Sequence, residues 1–256
     1  MGIHQQATKV LKMYEQIKEN VERIMGRVEV AANAAGREPS EIQVLAATKY
    51  TDRAGVIELV KSGIKLIGEN RVQDAAAKLG ADEESGQVNI HDEYPDLKVH
   101  MIGHLQKNKI NMGMELFDLV ETVDSIKLAD AINKRVSPPG RVLPVLMEVK
   151  LTGEETKTGC DISGVGKLAG HIWENCPNLE LRGVMGMGPW DPDAETARPY
   201  YKNLMEVYEC HREQAPDPEL FKTISMGMSA DFEVAIEEGA TLVRIGRALF
   251  DYSLIQ

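Results

Sequence analysis

Lys49 closes a short apolar run, Val44-Leu45-Ala46-Ala47-Thr48. A lysine ending a strand of that kind is expected to be partly desolvated, which lowers its pKa and frees the amine to attack a carbonyl. The competing reading is a snorkelling or salt-bridged lysine at a strand end. A phosphate signal lies elsewhere in the chain. Ser225-Met226-Gly227-Met228-Ser229 ends one apolar run and leads into a helix at Ala230-Asp231. Ser229 is expected to cap that helix, whose free N–H groups face an anion. Arg244-Ile245-Gly246-Arg247 ends the next run, and a glycine there lets backbone approach a phosphate closely. The competing reading is a capped helix followed by an ordinary glycine turn.

These groups need elements to hold them. Apolar residues at Val10, Leu11, Tyr14, Ile17, Val21, Ile24, Met25 and Val28 predict one long amphipathic N-terminal helix, with Thr8 as its N-cap and Gly36 as its stop. From Glu41 onward, β-branched runs alternate with helical periods. The predicted strands are Ile42–Lys49, Lys65–Asn70, Lys98–Gly103, Leu119–Asp124, Leu143–Lys150, Leu179–Met187, Phe221–Gly227 and Leu242–Arg247. Helices are predicted at Asp52–Lys61, Arg71–Leu79, Lys107–Leu116, Ser125–Val136, Ile162–Asn175, Ala194–Gln214 and Ala230–Glu238, and Ala81–Pro95 reads as a polar loop. Eight strand–helix units in this length predict an α/β fold, a single closed (β/α)8 TIM barrel spanning 1–256, with 1–40 packing on it as the N-terminal helix. An open doubly wound sheet is the alternative, but no glycine-rich turn follows the first strand.

In such barrels the chemistry sits at the C-terminal strand ends. Those ends carry Lys49, Glu69 with Asn70, His104, Asp124, Lys150, Met187, Ser225 to Ser229, and Arg244 to Arg247. On the last strand, alternation sends Leu242, Arg244 and Gly246 one way and the apolar pair Val243 and Ile245 the other. Arg244 is therefore expected inside the barrel mouth, where a buried arginine needs an acceptor. A reactive lysine, a phosphate cradle and an inward arginine together fit pyridoxal 5′-phosphate (PLP).

Composition narrows the classes of function. The chain has 256 residues, is 43% hydrophobic and 27% charged, and carries a net charge of -11. That surface repels polyanions, so nucleic acid and anionic membranes are poor partners. There is no bilayer-spanning apolar run and no signal-peptide pattern, which predicts a cytoplasmic protein. The three cysteines, Cys160, Cys176 and Cys210, form neither a disulfide framework nor a CxxC metal motif, and no metal site is expected. His100 and His104 lie on a strand end and make a poor metal pair.

The chain resembles the PLP homeostasis protein family, whose fold is like the alanine racemase N-terminal barrel (PLP fold type III). The resemblance is carried by Val44 to Lys49, Gly68-Glu69-Asn70-Arg71-Val72-Gln73, His100-Met101-Ile102-Gly103-His104-Leu105-Gln106, Leu181 to Met185, Ser225 to Ser229, and Val243 to Gly246. It implies a Schiff-base lysine at Lys49, phosphate contacts from Ser225 and from the backbone of Gly246 and Arg247, and a pyridine-nitrogen partner in Arg244. It also places Asn70 and His104 at the cofactor, and the loop Gly153–Gly159 near it. Arg247 departs from the family's Ser or Thr, Thr48 from its more common Ser, and Gly186 to Asp191 from the usual ending of that strand.

Racemisation needs a base on each face of the substrate carbon. In alanine racemase the second base is a tyrosine supplied with a β-rich domain of a partner subunit, and no segment for such a domain is expected after Gln256. The expected function is a PLP-binding homeostasis protein, holding the cofactor without efficient catalysis and passing it to apo-enzymes, monomer rather than dimer. A single-domain PLP-dependent amino-acid racemase and a cofactor-free Schiff-base aldolase are the alternatives.

Overall fold

The computed structural model describes residues 3–136, 138–153, 158–191 and 193–251, with side chains from residue 12 onward. The chain opens with helix α1 (Ile3–Ala34). Its inward face is Ile17, Val21, Ile24, Val28 and Ala32, the spacing of three and four read from the sequence. The helix starts before Thr8, which lies inside it rather than capping it. Gly36 does end it, at φ +67°, with Arg37 N–H returning to the Ala32 carbonyl at 2.9 Å.

Strands and helices then alternate: β1 (Gln43–Ala47), α2 (Arg53–Lys61), β2 (Leu66–Glu69), α3 (Val72–Leu79), α4 (Ile90–Glu93), β3 (Lys98–Met101), α5 (Ile110–Met114), β4 (Leu119–Val123), α6 (Ile126–Asn133), β5 (Leu143–Val149), α7 (Ile162–Asn175), β6 (Leu179–Gly186), α8 (Arg198–Arg212), β7 (Thr223–Ser225), α9 (Phe232–Glu237) and β8 (Leu242–Ile245). Each strand pairs in parallel with the next, and β1 pairs with β8 from Gln43↔Leu242 to Ala46↔Ile245, closing the barrel. All eight predicted strands are present, each a little shorter than expected. Lys49 leaves β1 on a 3-10 turn, Thr48–Tyr50. One helix was missed: α4 forms within the predicted loop, because Ile90 is fully buried and Asn89 accepts the His91 N–H.

Alternation sorts the side chains as the sequence requires. Val44, Ala46, Val243 and Ile245 join the large cluster between barrel and helices. Leu45, Ala47, Leu66 and Leu242 form a separate cluster inside the barrel, and Leu119, Leu146 and Met185 another. A register shift between Val145 and Leu146 accommodates Gly183, whose φ is +148° and where any Cβ would lie 1.9 Å from the Thr223 carbonyl oxygen.

Helix α1 also steadies the segment after β8. Asn20 donates to the carbonyls of Leu249 and Asp251 at 3.2 and 3.1 Å, and Arg23 to that of Ala248 at 3.2 Å. Arg27 pairs with Glu233 on α9 at 2.7 Å. None of the described helices is long and apolar enough to cross a membrane.

Candidate functional site

A cavity of about 410 Å³ opens at the C-terminal end of the barrel. Lys49, Asn70, Arg244, Gly246 and Arg247 all line it, so five of the seven expected site residues converge from β1, β2 and β8. Ser225 and His104 do not.

Lys49 stands on its 3-10 turn with an exposed side chain, its Nζ 5.1 Å from the centre of the Tyr50 ring. The side chain is thus more open than a strand-end lysine would be, because the turn lifts the residue off the strand.

The turn itself is anchored from below. Thr48 is fully buried, and its hydroxyl donates to Glu69 Oε1 at 2.6 Å. Lys78, on the last turn of α3, donates to the same carboxylate oxygen at 2.7 Å and to the Thr48 carbonyl at 2.6 Å. Glu69 is fully buried and Lys78 nearly so. Breaking a buried pair of this kind leaves an uncompensated charge and costs about 3–5 kcal/mol. Glu69 was visible in the sequence only as a strand-end carboxylate, and Lys78 not at all, since nothing in a helical lysine says which carboxylate it meets.

Asn70 is seated by glycine. A Cβ on Gly103 would lie 2.3 Å from the Asn70 carbonyl oxygen, so only glycine lets the two backbones pass. Two residues on, Leu105 is fully buried and turns its neighbour His104 outward. His104 thus lies in an adjoining groove with Asn70 and Gln73, its Nδ1 3.9 Å from Asp124, and not at the cavity where the sequence placed it.

Below the mouth, Arg244 is buried as alternation predicted, with its acceptors in place. Nη1 donates to Ser225 Oγ at 2.6 Å and Nη2 to the Gly186 carbonyl at 2.9 Å. Ser225 Oγ in turn donates to Glu121 Oε2 at 2.6 Å, and His100 Nδ1 lies 2.8 Å from Glu121 Oε1. Burial pushes the Glu121 carboxyl up. The hydrogen bond and charge of His100, then Arg244 and Ser225, outweigh it and hold the group below the ordinary carboxylate range. An ionised carboxylate only accepts, so His100 Nδ1 carries the proton. Ser225 is fully buried within this chain and its one proton is committed to Glu121. Ser225 thus stands in the floor, where it orients Arg244.

The other serine of that loop reaches the mouth. Ser229 lines the cavity, and its Oγ accepts the N–H of Gly246 at 3.2 Å and of Ala248 at 3.4 Å. It does not cap α9, whose cap residue is Asp231. Gly227, at φ +89°, turns the chain so closely over α9 that a Cβ would meet Ala235 at 2.5 Å. A Cβ on Gly246 would lie 2.8 Å from the Tyr50 ring, so glycine keeps open the space between β8 and that ring. Arg247 begins a 3-10 turn, so its N–H has no partner within that turn. Its guanidinium is exposed at the same edge and, among the described residues, joins no ion pair. Trp190, 75% exposed, stands on the opposite loop of the cavity. Of the loop Gly153–Gly159, residues 154–157, including Lys157, lie outside the described residues.

The volume, a floor guanidinium, a rim amine, and a glycine-spaced edge beside a cation suit a phosphorylated aromatic aldehyde such as PLP. The family model for the alanine racemase N-terminal domain matches residues 14–253. The Aquifex aeolicus protein named pyridoxal phosphate homeostasis protein is 38% identical over 233 residues, 91% of this chain and 96% of that one.

The chain belongs to the PLP homeostasis protein family.

Two solved structures share this barrel. A protein from Bifidobacterium adolescentis has a TM-score of 0.84 and 32% identity, covering 93% of this chain and 96% of its own. PipY of Synechococcus elongatus PCC7942, solved with PLP bound, has a TM-score of 0.70 and 29% identity, covering 88% of this chain and all of its own.

Proposed function

We propose that this protein binds PLP and serves PLP homeostasis in the cytoplasm, holding the cofactor on Lys49 and releasing it to apo-enzymes rather than turning over amino acids. The observation that carries the reading is the convergence of Lys49, Arg244 and the Gly246–Arg247 edge on one cavity in a member of this family. When bound, PLP supplies an aldehyde that condenses with a lysine amine. Lys49 is the amine in reach of the mouth, Gly246 and Arg247 receive the phosphate, Asn70 borders the ring, and Arg244 faces the ring nitrogen. Residues 1–256 act as one barrel unit, and the working form is a monomer.

Two features argue for holding over catalysis. Arg244 only donates, so it meets an unprotonated ring nitrogen, which weakens the ring as an electron sink. The phenol of Tyr201, fully buried and packed beside Gly188, is pushed up by burial and by Asp231 and is therefore poorly suited to act as a second base.

The test is spectroscopic. The purified protein is expected to be yellow, borohydride is expected to fix the pyridoxyl group on Lys49, and Lys49→Ala is expected to be colourless. Colour retained in Lys49→Ala, or the adduct on another lysine, overturns the site. Multiple-turnover racemisation of an amino acid overturns the carrier role, whereas reactivation of an apo-enzyme by the loaded protein supports it.

A further inference from the structure

We infer that α6 and α7 carry a site for a thiophilic divalent cation of the zinc class, formed by Asp130, His171 and Cys176. Asp130 lies on α6, His171 on α7, and Cys176 at the C-terminal cap of α7. Helices of the barrel run back from the mouth, so this end of α7 lies away from the cavity of Lys49. His171 Nε2 is 2.8 Å from Asp130 Oδ1, Cys176 Sγ is 4.0 Å from the same oxygen, and all three donor atoms lie within 4.8 Å of one another. Four-coordinate zinc, with bonds of about 2.0–2.3 Å, spaces its ligand atoms about 3.3–3.6 Å apart. The imidazole and carboxylate therefore need to part by about 0.5 Å and the sulfur to approach by about as much, which side-chain rotation supplies.

The frame that carries these donors is already fixed. Asn133, the last residue of α6, accepts the backbone N–H of Asn178 at 2.9 Å on its side chain and the Asn178 amide at 3.0 Å on its carbonyl. The two helix ends cannot drift apart without breaking both bonds. Cys176 is buried, while the side chains of His171 and Asp130 are 24% and 42% exposed. A cation thus enters from solvent and keeps a water as its fourth ligand. A sulfur, a nitrogen and a single carboxylate select zinc-class ions over magnesium or calcium, which take oxygen ligands. In the metal-free chain, burial and Asp130 push the Cys176 thiol up. On binding, the sulfur–metal bond forms as the thiol proton leaves to solvent, and the proton that His171 Nε2 donates to Asp130 is released while solvent supplies one to Nδ1, so that neutral Nε2 turns its lone pair to the metal. The cation would tie α6 to α7 as a clamp on the barrel wall.

Cobalt(II) is the probe. The full-length protein, freed of metal by a chelator and titrated with cobalt, is expected to develop a thiolate-to-cobalt charge-transfer band that saturates at one equivalent and is displaced by zinc. The band is expected to vanish in Cys176→Ser and to persist in Cys160→Ser and Cys210→Ser. It is also expected to persist in Lys49→Ala, which separates this site from chelation by PLP. Asp130→Asn leaves His171 an acceptor, so its metal-free melting temperature should match the parent while cobalt affinity falls about tenfold or more. If Cys176→Ser does not fold, the Asp130→Asn titration decides. A folded parent with no band, a band that survives Cys176→Ser, or unchanged affinity in Asp130→Asn overturns the proposal.

Discussion

Lys78 Nζ lies 2.7 Å from Glu69 Oε1, and the same ammonium holds the Thr48 carbonyl at 2.6 Å. A buried ion pair thus grips the residue immediately before Lys49. The exposed amine owes its place to charges that never reach the cavity.

Lys78→Met should therefore act twice. Stability is expected to fall by about 3–5 kcal/mol, because Glu69 is left buried and unpaired. PLP affinity should fall with it as the Thr48–Tyr50 turn loosens. Urea denaturation and a fluorescence titration with PLP check both, and Lys78→Arg should recover most of the stability. A fully stable Lys78→Met variant would falsify the anchoring role.

Gly246→Ala is expected to weaken PLP binding about tenfold, equivalent to about 1.4 kcal/mol. The added Cβ would press on the Tyr50 ring at 2.8 Å. Tyr50→Ala in the same chain makes room, so the double variant should bind better than Gly246→Ala alone. Additive losses in an equilibrium titration would count against this cause.

Arg247 stands exposed at the edge assigned to the phosphate. Arg247→Thr should weaken PLP binding several-fold at low ionic strength and flatten its salt dependence, since the contact of an exposed guanidinium is screened. Binding curves at two salt concentrations decide it. Identical curves for variant and parent would place the guanidinium in solvent.

Glu121 sets an acid limit. A carboxyl held below its ordinary value of 4.5 contributes stability that is fully present above that value and is lost as pH falls through the folded-state value. Melting temperature should drop as pH is lowered beyond 4.5. Glu121→Gln should start less stable at pH 7 and show a shallower loss over the same acid range. A parallel fall in both proteins would assign the acid sensitivity to other groups.

Much of this was legible in the linear chain, and the pattern of success is physical. The periods of α1 and of the eight strands are local properties, so Ile17, Val21 and Ile24, or Val243 and Ile245, declare their faces without knowledge of any partner. Alternation alone was enough to send Arg244 inward. Gly246 was read as room for a phosphate, whereas the neighbour that the structure shows closing on it is the Tyr50 ring.

Other features depended on which groups meet through space. Ser225 and Ser229 are four residues apart in one motif, yet the first is locked between Arg244 and Glu121 and the second reaches the mouth. Ser225 and Glu121 are 104 residues apart, and Lys78 meets Glu69 only because α3 folds back over its strand. Lys49 was found as a strand end, but its exposure followed from a 3-10 turn that one-dimensional alternation does not contain. The sequence by itself determined the barrel, its inward positions and the lysine, because period and side-chain size act over a few residues. Closure of the barrel decided the rest, since burial, charge pairing and the committed proton of Ser225 arise only when distant strands share one interior.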